Sequence, residues 1–559
     1  MLTLLIILFS ISLSEEKSVI ECVYDVTTTN DYTPLLGDKF TPDSPITMTI
    51  NGIQENFSSK YLFSRTGTYY IHFELSGDIN MDFMFEDVLA LERIYMHSNE
   101  KLKITRFEST FEGCENLLSF DIEGFDTSAA TSMKRMFYGT SNLDKADFSD
   151  FNTDSVLDMS SMFESSHIFT LDLRTFNTKR VKNMNSMFKY CQNLLFLNID
   201  TFDTSSVTDM SNMFLWDDSL LKLDLRRWDT SNVEDMSWMF YYCAGLTSLD
   251  VSNFRTSNVR KMNNMFRALL KLTSLDVSSF DTRNVEDMSG MFSSSKNLTK
   301  LDVSSFDTSK VESMTEMFSS CSNLVRLDLT RFQTSNVKDM SYMFNNCIRL
   351  TSLDLISFDT SRVTNMNSMF KSMEYLEFLD LSSFNTKNVL NYKNMFSECY
   401  SLRHLDVRRM DTSNAINMDS MFSDCVRLTS LDLSNFNTEN VDTMNSMFSN
   451  DKSLRYLNVN NFKTEKVNNM EFMFSHCESL TSLDLSSFDT SRVTSMFDMF
   501  YNDQRLLKLN LKNFNTEKTN EFGQFLVGCY NLTLNLGKNN DKCENLKQLV
   551  PGYVIIEYL

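Results

Sequence analysis

From near Met81 to about Leu534 the apolar positions of this chain recur with a period of about 26 residues. The clearest unit opens on Leu301-Asp302-Val303, continues through Phe306-Asp307-Thr308-Ser309, Val311, Met314, Met317-Phe318 and Cys321, and closes at Leu324 before Leu327-Asp328-Leu329 begins the next. The opening leucine returns at Leu171, Leu197, Leu223, Leu249, Leu275, Leu301, Leu327, Leu353, Leu379, Leu405, Leu431, Leu457, Leu483 and Leu509. Ile94, Phe120 and Ala146 hold that place in weaker early copies, the step from Ala146 to Leu171 is one residue short, and a degenerate copy sits near Leu534.

Within each unit the pattern changes period. Leu-Asp-Leu alternates apolar and polar, which predicts a short strand with one buried and one exposed face. The phenylalanine that follows turns the corner inward. Val311, Met314, Met317 and Phe318 then fall at i, i+3, i+6 and i+7, a spacing that predicts about two helical turns. Ser309 with Glu312 and Ser231 with Glu234 have capping-box spacing at the start of that helix. One such unit leaves its Leu, Phe and Met side chains open at both ends, whereas stacked units bury them continuously. The expected fold is therefore an α/β repeat solenoid of leucine-rich-repeat type, with about eighteen coils, a parallel sheet on one face and short helices on the other. Strand-like stretches at Val19–Val26, Ile46–Ile50 and Tyr69–Leu75 predict a small N-terminal β cap over residues 15–80, ahead of a solenoid over 81–537 and a C-terminal cap over 538–559.

The stretch from Leu2 to Leu13, followed by Ser12-Leu13-Ser14 and Glu15-Glu16, reads as a signal peptide over residues 1–14, with no basic residue ahead of it. No later run is apolar enough to span a membrane. Sequons at Asn56, Asn297 and Asn531 are candidate glycosylation sites on a secretory route.

The residues Leu353-Asp354-Leu355, Phe358-Asp359-Thr360-Ser361, Val363 and Met366-Asn367-Ser368-Met369-Phe370 resemble the BspA-type leucine-rich-repeat surface proteins, in their branch with a 26-residue repeat. The resemblance covers about four fifths of the chain. It implies the solenoid fold and a role in adhesion to host matrix or to other cells, and it names no ligand. Unlike anchored members, the chain shows no wall-sorting motif or membrane tail.

Composition narrows the partners. Asp and Glu number 74 against 52 Lys and Arg, a net charge of −22 with no basic cluster, so nucleic acid and anionic membrane are not expected partners. Phe at 47 and Met at 36 are accounted for by the repeat. The methionines lie on its apolar face, as core filler rather than soft-metal ligands. Nine of the 11 cysteines, Cys114, Cys191, Cys243, Cys321, Cys347, Cys399, Cys425, Cys477 and Cys529, share one column, where Ser295, Met373 and Asp451 also stand. That exchange favours a buried thiol column over a disulfide framework. Cys529 with Cys543 is the candidate disulfide, a staple for the C-terminal cap. No zinc spacing occurs, and His72, His97, His167, His404 and His476 fall in scattered coils without a nucleophile–base grouping. No enzyme activity, cofactor or metal is expected.

The exposed strand face carries the remaining candidates for ligand contact. Its central column is an acidic ladder that includes Asp224, Asp250, Asp276, Asp302, Asp328 and Asp354. It either binds cations or a cationic or hydroxyl-rich ligand, or is balanced locally by neighbouring Ser, Lys and Arg. Phe196, Phe378, His404 and Tyr456 precede their strands, while Arg174, Arg226 and Arg408 follow. Aromatic and arginine side chains are favoured at binding hot spots. The leading expectation is a non-enzymatic secreted or cell-surface protein that binds a protein or glycan on host or neighbouring cells through this face. Self-association end to end into filaments or coats is a second reading. A lattice binder, for ice or polysaccharide, is the third, using the Thr column of Thr204, Thr230, Thr282, Thr308, Thr334 and Thr360, although such threonines more often close a turn by bonding their own backbone.

Overall fold

A computed structural model describes residues 18–538 and 540–559. The signal segment expected at residues 1–14 lies outside the described residues. The chain divides into two compact units, Met1–Val233 with Tyr242–Leu246, and Glu234–Tyr241 with Thr247–Leu559. Each is a stack of coils wound once per repeat, about 18 turns in all.

In the first unit the alternating stretches at the start form strands Ser18–Val26, Thr47–Ile50 and Gly67–Leu75, which pair antiparallel. A hairpin from Thr47–Ile50 to Ile53–Glu55 turns over Asn51-Gly52, both left-handed at φ 50° and 79°, the mirror-type turn that matches strand twist. Ser18–Val26 also pairs with Leu91–His97, and from there the sheet becomes parallel through Ser119–Glu123 to Lys145–Ala146. The antiparallel segment thus covers the first coil with real strand pairing. In the second unit the sheet closes on Ser482–Asp484, Lys508–Asn510, Thr533–Asn535 and Ile555–Glu557.

Parallel pairing of the Leu-Asp-Leu segments holds coil by coil, with Leu171 opposite Leu197 in the first unit and Leu275 opposite Leu301 in the second. A second ladder of single-residue bridges runs through Asp287, Ser313, Asp339 and Asn365 on another side of the coil. The leucine, valine, methionine and phenylalanine of every repeat point inside, most of them fully buried. The Met-Phe phenylalanines stack on one another. Phe292, Phe318, Phe344 and Phe370 have centroids 5.8–5.9 Å apart and planes within 8°.

The expected helices are absent. Among the described residues the helical elements are a 3-10 turn at Asp541–Cys543 and one α-helix at Glu544–Leu549. Where Val311 to Cys321 had the spacing of two helical turns, alternate amides leave the coil instead. The amides of Met314, Glu316, Phe318 and Ser320 donate to the carbonyls of Asp339, Ser341, Met343 and Asn345 in the next coil, at 3.1, 2.9, 3.0 and 2.7 Å. The intervening amides of Met317, Ser319 and Cys321 close tight turns onto Met314, Glu316 and Phe318. That alternation requires left-handed residues at Glu316 and Ser320, φ 57° and 58°, which no α-helix tolerates. Ser309 accordingly caps nothing: its amide donates to Asp307 Oδ1 in an Asx turn.

Two further expectations are corrected. The Thr column is buried, not presented to a lattice: Thr204, Thr230, Thr282, Thr308, Thr334 and Thr360 are at most 1% exposed. Nor does Thr308 spend its hydroxyl on its own turn. Its Oγ1 donates to the Gln333 carbonyl and accepts from the Gln333 amide, at 3.0 and 2.8 Å, clamping one coil to the next. Cys529 and Cys543 are both free. Cys529 donates to the carbonyl of Phe500, of the Met-Phe column, whereas Cys543 donates to that of Phe514, at the corner after the strand, so the two thiols belong to different columns.

Candidate binding surface

The strand face is built by period-two alternation. In Thr170–Asp172 and Ser430–Asp432 the leucine is buried and both neighbours are exposed. Each strand therefore offers solvent two positions, the residue before the leucine and the aspartate after it.

The aspartate column is not an array of unbalanced charge. Oδ1 of Asp276, Asp302, Asp328 and Asp354 accepts the amide two residues on, from Ser278, Ser304, Thr330 and Ile356 at 2.9–3.1 Å. The Ser278, Ser304 and Thr330 hydroxyls, with those amides, hold the first three carboxyls below the ordinary range. Asp250 Oδ1 likewise accepts the amide and the hydroxyl of Ser252, at 3.1 and 2.7 Å. Where arginine stands two residues on it is committed to the same aspartate. Arg174 meets Asp172 and Arg226 meets Asp224 at 2.5 Å, and Arg408 meets Asp406 at 2.8 Å. These guanidinium hydrogen bonds lower the carboxyls of Asp172, Asp224 and Asp406 to about 2. The neighbouring coils still work against this, since Asp328 and Asp276 both raise Asp302. The local turns supply the compensation that stacked like charges demand.

The position before the leucine is where large side chains face solvent. Phe196, in the first unit, is 59% exposed, next to the exposed Leu195 in sequence, and its amide donates to the carbonyl of the exposed Phe169 one coil back at 3.4 Å. In the second unit Phe378 and Tyr456 are 62% and 57% exposed, and Phe378 lies directly opposite His404 in the parallel register. Tyr456 pairs instead with Ser430. The thirteen residues expected to contact a ligand thus separate. Asp224, Arg174, Arg226 and Arg408 serve the local turns, whereas Phe196, Phe378, His404 and Tyr456 present free surface.

Sequence reasoning missed the residues just upstream of these strands. Tyr375 and Tyr400 are exposed, and Arg403, Arg427 and Arg455 are exposed as well. Arg403, His404, Arg427, Thr429 and Ser453 border a shallow hollow of about 330 Å³. The signal available was an arginine recurring two or four residues before the strand leucine, against a generally acidic chain. A larger cleft of about 560 Å³ in the first unit is bordered by Asp25, Tyr32, Asp87, Leu89, Glu92 and Asn116. The sequon residues Asn56, Asn297 and Asn531 are all exposed, and the side-chain amide of Asn297 donates to the Leu270 carbonyl of the preceding coil at 2.7 Å. Among the described residues, no group of His, Cys, Asp or Glu is placed to hold a metal ion, and no helix is long and apolar enough to cross a membrane.

A family model described as "Mycoplasma protein of unknown function, DUF285" matches residues 79–196, 187–274, 235–352, 268–374, 320–431 and 417–539. No curated protein matches the chain. Among solved structures, the chain is similar to the plant peptide hormone receptor RGFR1 in complex with RGF2, at 13% identity over 82% of this chain and 85% of that one, with a TM-score of 0.19. It is also similar to the functional domain of InlJ from Listeria monocytogenes, which includes a cysteine ladder, at 17% identity over 74% and 70% of the two chains and a TM-score of 0.18.

Proposed function

We propose, from the premise that the chain belongs to the family described as Mycoplasma protein of unknown function, DUF285, that it is a non-enzymatic binding protein, secreted or held at a cell surface, which engages a protein ligand through its strand face. The observation that carries this reading is the set of aromatic side chains projected from a strand face whose other positions before the leucine are polar, Phe196 in one unit and Phe378 and Tyr456 in the other. An exposed aromatic loses nothing further to the fold and gains on being covered, and aromatic and arginine anchors dominate protein interfaces. The coils beneath are fixed to one another by backbone ladders and threonine clamps, so the surface is presented with little conformational freedom left to lose.

Residues 1–14 are proposed to direct export, and the resemblance to BspA-type surface proteins supports adhesion as the role. Amino-terminal sequencing of exported protein should begin near Glu15; retention of Met1 would remove the export reading. The binding test replaces Phe196, Phe378 and Tyr456 together by alanine. Attachment to cells or matrix protein should fall at least tenfold while thermal unfolding stays within a few degrees, and unchanged attachment would refute a strand-face contact. A second reading, end-to-end assembly, has one observation in its favour: Ile555–Glu557 is paired along one edge among the described residues, with Ile555 61% exposed. Electron microscopy of purified protein separates the two, because regular fibres would favour assembly and single particles a binder.

A further inference from the structure

We propose that the hollow bordered by Arg403, His404, Arg427, Thr429 and Ser453 receives a carboxylate from an acidic segment of a partner protein. The inference rests on the strand-face reading and specifies the chemistry of the partner there.

The hollow exists because long and short side chains alternate across consecutive coils. Arg427 stands four residues before its strand leucine, where the adjoining coils carry Ser401 and Ser453. Arg403 stands two before its leucine, where the next coil has Thr429. Two exposed guanidinium groups therefore rise beside a floor of hydroxyls. A carboxylate needs that set of donors, since each guanidinium offers a planar fork of N–H groups and the hydroxyls supply the rest.

Among the described residues neither arginine has an ion-pair partner within the chain, so both forks are available to a ligand. Arg174, Arg226 and Arg408 on strand faces are each tied to the aspartate two residues earlier. Among the described residues, no carboxylate lies within ion-pair distance of Arg403 or Arg427, although the chain carries 74 acidic residues against 52 basic ones. In a chain of acidic balance, two neighbouring arginines without an ion-pair partner give local positive potential, and an incoming anion is drawn to that spot.

The surroundings select a peptide over a sulfated glycan. The aspartate column, with Asp406 and Asp432, continues on the same coils immediately after the strand leucines, and it repels a polyanion that carries charge on every sugar. A peptide can instead place one carboxylate in the hollow and lay apolar side chains against Phe378, directly opposite His404, and against Tyr456.

The test uses the full chain and a fluorescein-labelled peptide with one glutamate flanked by leucines, read by fluorescence anisotropy. The Arg403→Ala, Arg427→Ala double variant should bind at least about tenfold more weakly, and Arg403→Glu with Arg427→Glu should bind a lysine–leucine peptide instead. Normal thiol burial in both variants, read by maleimide exclusion, shows that they fold. Unchanged affinity of a folded double variant overturns the proposal. So does heparin that binds the wild-type chain and displaces the peptide at lower concentration, because the hollow is then a polyanion site. Phe378→Ala with Tyr456→Ala separates the two readings. Arginine-dependent peptide binding alongside intact attachment to cells leaves the hollow standing and removes the strand-face role, whereas lost attachment with arginine-independent peptide binding does the reverse.

Discussion

At the scale of single residues, the column after the Met-Phe pair shows what burial alone does to chemistry. Cysteine is the common occupant, and its thiol donates to the carbonyl of a phenylalanine one coil back, as Cys321 does to Phe292 and Cys347 to Phe318. Ser295 does the same to Phe266. At Asp217, Asp451 and Asp503 the column carries a fully buried carboxyl whose Oδ1 accepts the amide of Cys191, Cys425 or Cys477 and whose Oδ2 has no partner. With no cation nearby, burial pushes all three carboxyls well above their ordinary range, which favours their neutral form in the folded chain. The sign of the consequence follows. The unfolded chain ionises these groups near pH 4 and the folded chain only at higher pH, so the stability they allow is complete below about pH 4 and is lost as pH rises. The exposed aspartates at Asp172, Asp224 and Asp406, lowered to about 2, act oppositely and lose their contribution as pH falls below about 4. Asp451→Asn keeps the acceptor and removes the charge. It should leave the melting temperature near pH 4 almost unchanged and raise it increasingly toward pH 9, with a slope difference of up to about 1.4 kcal/mol per pH unit; parallel pH profiles for the variant and wild type would show that the carboxyl does not stay neutral.

At the scale of the repeating element, the coil is held by contacts to its neighbours more than by its own turns. Thr308 is a clear instance, because one buried hydroxyl satisfies both the amide and the carbonyl of Gln333. Thr308→Val keeps the shape and leaves both groups unpaired, and it should lower unfolding free energy by about 1–3 kcal/mol in denaturant titration. Thr360, with the same pair of bonds to Asn385, predicts the same loss at another coil. The strand, the corner phenylalanine and the core columns were legible in the sequence because they depend on which side chains face inward. The helices were misread because inward spacing of i, i+3, i+6 and i+7 is common to two helical turns and to a ladder of alternating turns. The distinguishing signal lay in the polar positions. The two left-handed sites of each coil are filled by Asn264, Asn346, Asn394, Asn450 and Gly290, residue types that tolerate positive φ, but also by Glu316, Ser320 and Tyr342, which carry no such mark. Ser320→Gly should therefore be neutral or slightly stabilising, whereas Ser320→Val should cost about 1–2 kcal/mol in the same titration, because a β-branched residue fits the left-handed region poorly. An equal effect of both would mean that the backbone there relaxes out of its left-handed turn. The candidate surface divided along the same line. Its exposed aromatics were legible by alternation, but the Asp–Arg pairing and the hollow at Arg403 and Arg427 depend on which side chains stand in adjacent coils.

At the scale of the whole molecule, the thiols report how far these local ladders act together. All 11 cysteines are free and buried, and a reagent meets them only when a coil opens. Burial raises them, Cys321 and Cys399 to about 12 and Cys543 to about 11, which further suppresses the thiolate. A chain exported to an oxidising compartment would ordinarily be expected to cross-link its cysteines. Here oxidation has to wait for opening, and Cys321 and Cys347 stay reduced while their S–H groups are engaged with Phe292 and Phe318. Because each coil contacts chiefly its neighbours, opening need not be all-or-none across a long repeat array. Maleimide labelling followed by mass spectrometry should thus find no interior thiol modified in the native chain, and Cys543, in the terminal helical turn, modified first as denaturant rises. Cys321, Cys347, Cys399 and Cys425 should follow together at a higher midpoint, since clamps and phenylalanine stacking link all the coils that hold them. Labelling of any one of these four well ahead of the others would show that a single coil opens alone, and that the inter-coil ladders are weaker than the fold requires.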